Sequence, residues 1–471
     1  MKRFAAFLLA ALMLLSLAAC SKDIESGPKV DSNIARVYSA ESGVSRFVLN
    51  GRLIEGEAEG KAQIDISADG KSCLAWVRSN VYYVSEAGVV PLGGGITEAE
   101  LSFDGKTAYF FQNGALMEYT PQGGIKIVEE GLDSLVQLAI SPSGKCLVYT
   151  ASHPDDGFGY SCTLYKDGAL TKVLDDKEAI ALAVTDDADT VYYLDTGAGC
   201  FTVRKAGADT VISNECDSGT NYNFTRDLNE VVYITKDKVN RLFRSSDGKD
   251  LELGTGFGFT LKTDVYSRSI ITLFTYINDV DSFMNGLWLL RTKLDSGYLY
   301  SVVRIGKDGR VKQLFEGAEK YKAAPDGKSV LWEKDGALYY QKANGSSSKI
   351  AANVVRYAFS TDGSLIWYLD VLGDLYCRKP GGKSKHIDNG VGEFSVIGGC
   401  CLYITDAADV LYRSDGSGHE KLMEDAAYID TRDGQLLIYS NEHDTDLGTA
   451  YTLTVTPDGE SFDTEFTEIM P

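Results

Sequence analysis

Short stretches in which apolar and polar residues alternate recur along most of the chain, parted by clusters of Gly, Asn, Asp and Ser. Alternation with a period of two gives a strand one buried and one solvated face, so the pattern predicts β-structure rather than helix. Thr107–Gln112, Leu116–Thr120, Ile125–Glu129 and Val136–Ser141 parse as four successive strands, separated by Asn-Gly, Gly-Gly and Gly-Leu-Asp turns. Four strands of about six residues with turns of about three occupy roughly 35 residues, and a lone sheet of that size cannot bury both its faces.

The same unit recurs. Ile66-Ser67-Ala68-Asp69-Gly70-Lys71 is echoed by Leu101-Ser102-Phe103-Asp104-Gly105-Lys106 and by Ile140-Ser141-Pro142-Ser143-Gly144-Lys145. It returns as Ala324-Pro325-Asp326-Gly327-Lys328 and Phe359-Ser360-Thr361-Asp362-Gly363-Ser364, with weaker copies at Asp187-Ala188-Asp189, Asp227-Leu228-Asn229, Gly398-Gly399 and Asp433-Gly434. A second echo, Gly336-Ala337-Leu338-Tyr339, Gly373-Asp374-Leu375-Tyr376 and Asp409-Val410-Leu411-Tyr412, places its leucines 37 and 36 residues apart. Asp-Gly supplies the positive φ that tight turns require.

Four strands per repeat of about 40 residues is the signature of a propeller blade. The repeats resemble the TolB-like and WD40-like β-propeller repeats of exported bacterial proteins, whose blades carry this S-x-D-G-K turn, over roughly residues 60–470. The resemblance implies an all-β fold, a β-propeller of about eight to ten four-stranded units in one closed ring. Between about 187 and 320 the turns depart from the pattern. The last unit offers Gln435–Ser440, Ala450–Thr456 and Phe462–Phe466 but no fourth strand. The run Ala62–Ser67 is expected to supply it, joining the ends and removing two open edges.

Ahead of the repeats, Met1-Lys2-Arg3 precedes an apolar run from Phe4 to Leu17, interrupted only by Ser16. Its 14 residues are too few to cross about 30 Å of hydrocarbon as a helix, and a cationic start before such a run reads as a secretion signal. The run ends Leu17-Ala18-Ala19-Cys20, which resembles the lipobox of bacterial lipoproteins. That resemblance implies cleavage before Cys20, attachment of diacylglycerol to its thiol and fatty acylation of the palmitate type. Residues 1–19 are then a signal peptide, 20–33 the lipidated Cys with a polar tether, and 34–471 the propeller domain. The expected location is the extracytoplasmic face of the cell membrane, held by the N-terminal lipid.

Composition narrows the function. Lys plus Arg number 46 against 67 Asp plus Glu, a net charge of −21, and such a field repels phosphate backbones, so no nucleic-acid partner is expected. Eight further cysteines lie mostly within apolar strand-like runs. They read as small buried hydrophobes, with a Cys200–Cys216 bridge as the open alternative. Gly-Lys-Ser/Thr at 70–72, 105–107 and 327–329 lacks the Gly five positions earlier that a P-loop needs, where Asp65, Glu100 and Lys322 stand. There is no G-x-S-x-G and no H-E-x-x-H, and only four His are present. No metal site and no cofactor are expected.

One departure from the repeat carries candidate chemistry. The short hairpin at Phe111-Gln112-Asn113-Gly114 is lengthened at Thr150–Tyr160, at Asn278–Gly286 and at Asn441–Gly448, all three read as following the same strand position and so emerging on one face. His153, Asp155, Asp156, Phe158 and Tyr160 belong to the first, Asp279, Asp281 and the neighbouring Trp288 to the second, and Glu442, His443, Asp444 and Asp446 to the third. Acids take hydroxyls or cationic groups while aromatic rings stack on them, so these residues are the expected ligand-binding set, for a peptide or a sugar. The reading is a membrane-anchored binding or scaffolding surface for an envelope protein, peptide or glycan. The alternative is a glycan-acting hydrolase or lyase with carboxylates in the propeller funnel.

Overall fold

The computed structural model describes residues 34–470 apart from short stretches, the longest being 153–159, 217–221, 261–286 and 457–463; for 255–300 and 443–470 only the backbone is described. Among the described residues there is no helix. Alternating runs pair with their sequence neighbours into eleven four-stranded antiparallel sheets, at 35–59, 63–93, 96–130, 134–174, 179–213, 222–255, 257–318, 320–352, 354–388, 391–423 and 426–470. They are numbered sheets 1 to 11 below.

The strands of the parsed unit are present as Ala108–Gln112, Ala115–Thr120, Gly124–Glu130 and Ser134–Ile140. The sheet boundary is displaced by one strand, because Ser134–Ile140 opens sheet 4 instead of closing sheet 3. The Ser-x-Asp-Gly turn therefore joins the first and second strands within a sheet. Its geometry explains its sequence: Ser67 Oγ donates to Asp69 Oδ1 at 2.7 Å, the Lys71 amide donates to the same oxygen at 3.0 Å, and the Ser72 amide donates to Ser67 Oγ at 3.1 Å. Ser102 and Asp104 repeat this arrangement, as do Ser360 and Asp362. Gly105 has a φ of 67°, and a Cβ there would sit 2.8 Å from Ser72 Cβ, so glycine also lets successive turns pack side by side.

The count of eleven exceeds the eight to ten units read from the turns, for two physical reasons. Sheet 1 carries no Ser-x-Asp-Gly sequence between its first two strands, and its third strand is split into Arg52–Leu53 and Ala58–Glu59, both pairing with Val44–Leu49. Sheet 7 has none in its sequence either, because its first and second strands, Phe257–Thr260 and Leu287–Leu294, are joined by the long connection at 261–286. The weaker copies that were legible keep the turn without glycine: Thr185 with Asp187 and Thr225 with Asp227 make the same hydrogen bonds, while Ala188 and Leu228 take φ values of 60° and 58°. Leu228 is buried among Phe224, Val231 and Phe243, and that burial offsets the cost of the left-handed backbone.

Adjacent sheets are glued face to face by apolar clusters, such as Leu74, Tyr83, Ile96 and Phe110 between sheets 2 and 3. Tyrosine hydroxyls add directional bonds between sheets: Tyr83 donates to the Gly105 carbonyl at 2.7 Å and Tyr192 to the Leu228 carbonyl at 2.9 Å. The ends meet, because Val37 and Val48 of sheet 1 pack on Leu437 and Tyr439 of sheet 11. No strand is exchanged in this closure. Sheet 11 is built from 426–470 alone, and the run expected to complete it, Gln63–Ile66, pairs with Ser72–Val77 in sheet 2. The missing fourth strand was Ala426–Arg432, which lies upstream of the unit as parsed. Cys146, Cys162, Cys200, Cys377, Cys400 and Cys401 are free thiols, so the Cys200–Cys216 bridge is not formed. Burial pushes the Cys162 thiol up to about 12, as expected of a cysteine serving as core.

The turn carboxylates make stability pH-dependent. Burial tends to raise the Asp362 carboxyl, but bonds from Ser360 Oγ and the Ser364 amide outweigh it and hold the group below the usual carboxylate range. A carboxyl depressed in the folded state stabilises the fold above its unfolded value, near about 4, and that stability is lost as pH falls through the lower folded value. Asp362→Asn is therefore expected to lower the urea midpoint at pH 7, with the gap to the parent protein narrowing below about pH 4. A gap of equal size at pH 7 and at pH 2.5 would sink this account.

Candidate functional site

The sheet topology separates the three lengthened connections. Those at Thr150–Tyr160 and Asn441–Gly448 join second to third strands, in sheets 4 and 11, and so leave the array on one side. The connection holding Asp279 and Asp281 instead joins Phe257–Thr260 to Leu287–Leu294, the first and second strands of sheet 7. In an antiparallel sheet successive connections alternate ends, so it leaves on the opposite side, and the expectation of one shared face is corrected. Trp288 lies on that opposite side too, near the start of its strand and in register with Thr260 and Val303.

In the third connection the strands continue outward, pairing His443 with Ala450 and Asp444 with Thr449, so much of it is hairpin rather than loop. Glu442 is exposed on this extension. Tyr160 is 44% exposed just before Ser161–Lys166. His153, Asp155, Asp156, Phe158, Asp279, Asp281 and Asp446 lie outside the described residues, as does Cys20. Among the described residues no group of three or more His, Cys, Asp or Glu side chains could hold a metal ion.

The structure presents a different site. A cleft of about 380 Å³ opens between the first strands of sheets 8 and 9, Lys320–Ala323 and Val354–Phe359. Alternation in the sequence Lys320-Tyr321-Lys322 builds one wall. Tyr321 packs with Phe315 and Trp332 toward sheet 7, which turns both lysines to the other side. Lys320 is in register with Glu333, and Lys322 with Leu331, which belongs to the core shared by sheets 8 and 9. The opposite wall depends on a break in pairing between Val354 and Arg356. Val354 and Tyr357 remain in the core, while Val355 is 52% exposed and Arg356 projects outward.

Arg356 sits over the Phe394 ring, 5.7 Å from its centroid, with Nη1 at 3.5 Å from Glu393 Oε2. Glu393 Oε1 accepts a hydrogen bond from the Ile429 amide at 2.5 Å. One line of contacts thus links the first strands of sheets 9, 10 and 11. On the neighbouring strand, in register with Lys320, Glu333 is buried with Oε2 3.6 Å from Lys320 Nζ, and that oxygen accepts no hydrogen bond. The Tyr357 hydroxyl is buried and likewise lacks a hydrogen-bond partner. Burial first, and then the Glu333 charge, drive the Tyr357 hydroxyl well above its ordinary value.

In a chain of net charge −21, the cleft is lined by Lys320, Lys322 and Arg356 together with Glu319, while Glu333 pairs with Lys320 and Glu393 with Arg356. The lysines and arginine were not among the residues singled out from sequence. Two lysines astride a tyrosine at the start of a strand are the local signal for one wall, but Arg356 lies 34 positions beyond Lys322 and only sheet packing brings it near.

No protein-family model matches the chain, and no curated protein matches it. Among solved structures, a eukaryotic initiation factor is similar over 93% of this chain and 98% of that one, at 11% identity and a TM-score of 0.41. A putative TolB from Agrobacterium tumefaciens covers 53% of this chain and 95% of its own, at 15% identity and a TM-score of 0.34. Oligogalacturonate lyase from Vibrio parahaemolyticus covers 73% and 95%, at 10% identity and a TM-score of 0.32.

Proposed function

We propose that the protein is a non-enzymatic β-propeller, tethered by lipid at Cys20 to the extracytoplasmic face of the cell membrane, which holds an envelope component at the cleft between sheets 8 and 9. The observation that carries the reading is the cationic rim of Lys320, Lys322 and Arg356 set above a buried Tyr357. Concave sites with a few convergent polar groups over an apolar wall are where ligands are held. The Leu17-Ala18-Ala19-Cys20 sequence supports the membrane address.

The test is retention of envelope material by the immobilised full-length chain. Retained glycan or peptide is expected to be recovered unchanged in mass, and Lys322→Glu with Arg356→Glu is expected to abolish retention. Recovery of shortened or unsaturated products would identify the protein as the glycan-acting enzyme instead. Retention indifferent to the charge reversals would remove the cleft from the account.

A further inference from the structure

The turn joining the second and third strands of sheet 9 is Val371-Leu372-Gly373-Asp374, where its counterparts in sheets 2, 3 and 8 are the polar Arg78-Ser79, Asn113-Gly114 and Asp335-Gly336. Val371 is 59% exposed and Leu372 78%, the two most exposed large apolar side chains among the described residues. The backbone holds them out. Asp370 Oδ1 accepts from the Leu372 and Asp374 amides at 2.9 and 3.0 Å, and the Gly373 amide donates to the Asp370 carbonyl at 3.1 Å, with Gly373 at a φ of 80°. The Val371 amide donates to the Asn353 carbonyl at 2.9 Å, which fixes the turn beside the start of the sheet's first strand. There Val355 stands out at the break in pairing opposite Asp370 and Leu369. Val355 also lines the cleft, so apolar surface and cleft share one end of sheet 9.

Next to Val355, the Arg356 side chain is 46% exposed. Its guanidinium rests on the Phe394 ring and, among the described residues, engages only Glu393, through Nη1. A guanidinium carries five N–H donors in a fixed fork that matches a carboxylate. We infer that this end of sheet 9 docks a short protein segment in which apolar side chains adjoin a carboxylate, the former on Val355, Val371 and Leu372 and the latter at Arg356. The inference rests on the reading of the cleft as the binding site and deepens it by naming the partner's chemistry. Exposed apolar groups gathered on a rigid support mark contact surfaces, and a few such anchors carry most of an interface's energy. A protein segment is favoured over a lipid surface by where the chain enters. Ile34 bonds to Gly70, in the first-to-second turn of sheet 2, and such turns leave the array on the side opposite Val371 and Leu372.

The test is selection of a phage-displayed library of random nine-residue peptides on the immobilised full-length chain. Sequences that join Leu, Ile, Val or Phe to Asp or Glu are expected to be enriched. Val371→Ser with Leu372→Ser is expected to weaken synthetic copies of them by at least about tenfold. The melting temperature is expected to stay unchanged, because neither side chain belongs to the core. Arg356→Gln is expected to weaken the same peptides, and to make no difference to copies in which the acid is replaced by its amide, since the two changes then remove one and the same contact.

A library that yields no enriched peptide, or peptides indifferent to the paired serine substitutions, would overturn the inference. Enrichment without acids, or an equal effect of Arg356→Gln on acid and amide peptides, would overturn the carboxylate contact. Two further measurements address other occupants. Co-sedimentation of the Cys20→Ser chain with phosphatidylglycerol vesicles, lost on the serine substitutions, would assign the patch to a lipid surface instead. A dimer in sedimentation velocity, lost in the same way, would assign it to a second copy. Envelope retention abolished by Lys322→Glu with Arg356→Glu but untouched by the serine substitutions would overturn this inference alone, whereas retention indifferent to both sets would count against the broader reading.

Discussion

Replacing Cys20 with Ser is expected to move the protein almost completely from the membrane fraction to the soluble fraction. The expectation rests on the chemistry of the attachment. A thioether needs the sulfur of Cys20, and serine, which carries oxygen in place of that sulfur, offers no thiolate to alkylate. The 14 apolar residues from Phe4 to Leu17 are too short to serve as a substitute span, and among the described residues no helix is long and apolar enough to cross a membrane. Each buried acyl methylene contributes about 0.8 kcal/mol, so two or more chains on one residue anchor stably where none does not. Fractionation followed by immunoblotting reads the outcome, and mass spectrometry of the N-terminal peptide reads the lipid directly. A Cys20→Ser protein that stays with the membrane through a carbonate wash would exclude the lipid as its anchor.

With the proposed anchor at Cys20, the tether would set how far the fold stands from the membrane. Ser21–Asn33 has 13 residues, which reach at most about 45 Å when extended. The first described residue, Ile34, is buried, and its amide donates to the Gly70 carbonyl at 2.8 Å. The chain thus joins the fold at the first Ser-x-Asp-Gly turn, beside sheet 2.

What the sequence made legible, and what it did not, follows from how local each signal is. The Ser-x-Asp-Gly turn is a six-residue hydrogen-bonding unit, so its copies are visible without any knowledge of packing, and from them comes the propeller. The same locality caused the miscount, since sheets 1 and 7 carry no Ser-x-Asp-Gly sequence between their first two strands and so left no copy to count. Leu228 shows why other copies read as weak: it makes the turn with a side chain that packs into the core among Phe224 and Phe243. The displaced sheet boundary has a similar origin. Strand order within a unit fixes pairing, but which strand opens a sheet depends on the face-to-face contacts between units. The lengthened connections were visible as insertions, while the strand they follow was not, and Asn278–Gly286 was accordingly assigned to the wrong side. The cleft was least legible of all. Lys320 with Glu333 is a cross-strand pair within one sheet, whereas Tyr357 and Arg356 arrive from the next, through a break in pairing at Val355 that leaves no mark in composition.

Leu437→Ala is expected to destabilise the whole array by about 2–5 kcal/mol, as much as its neighbour Leu436→Ala. The two residues are equally buried and lie side by side on one strand, yet they face different sheets. Leu436 packs with Leu402, Ile404 and Leu411 toward sheet 10, an interface formed by neighbours in sequence. Leu437 packs with Val37 and Val48 of sheet 1, an interface between the two ends of the chain, where Tyr439 also stacks on Tyr428 at 4.0 Å between centroids. Because no strand is shared between sheets 1 and 11, side-chain packing is what holds the ends together there, and the two substitutions compare it directly with an ordinary interface. Urea titration followed by tryptophan fluorescence measures both, since Trp367 is fully buried and Trp332 nearly so. A cost below about 1 kcal/mol for Leu437→Ala, beside a full cost for Leu436→Ala, would mean that sheet 1 does not seat on sheet 11 in solution. The comparison reaches the binding site as well. Glu393 ties Arg356 on one side to the Ile429 amide of sheet 11 on the other, so a loosened sheet 11 is expected to free Arg356 from its position at the rim and to weaken ligand binding in parallel with the loss of stability.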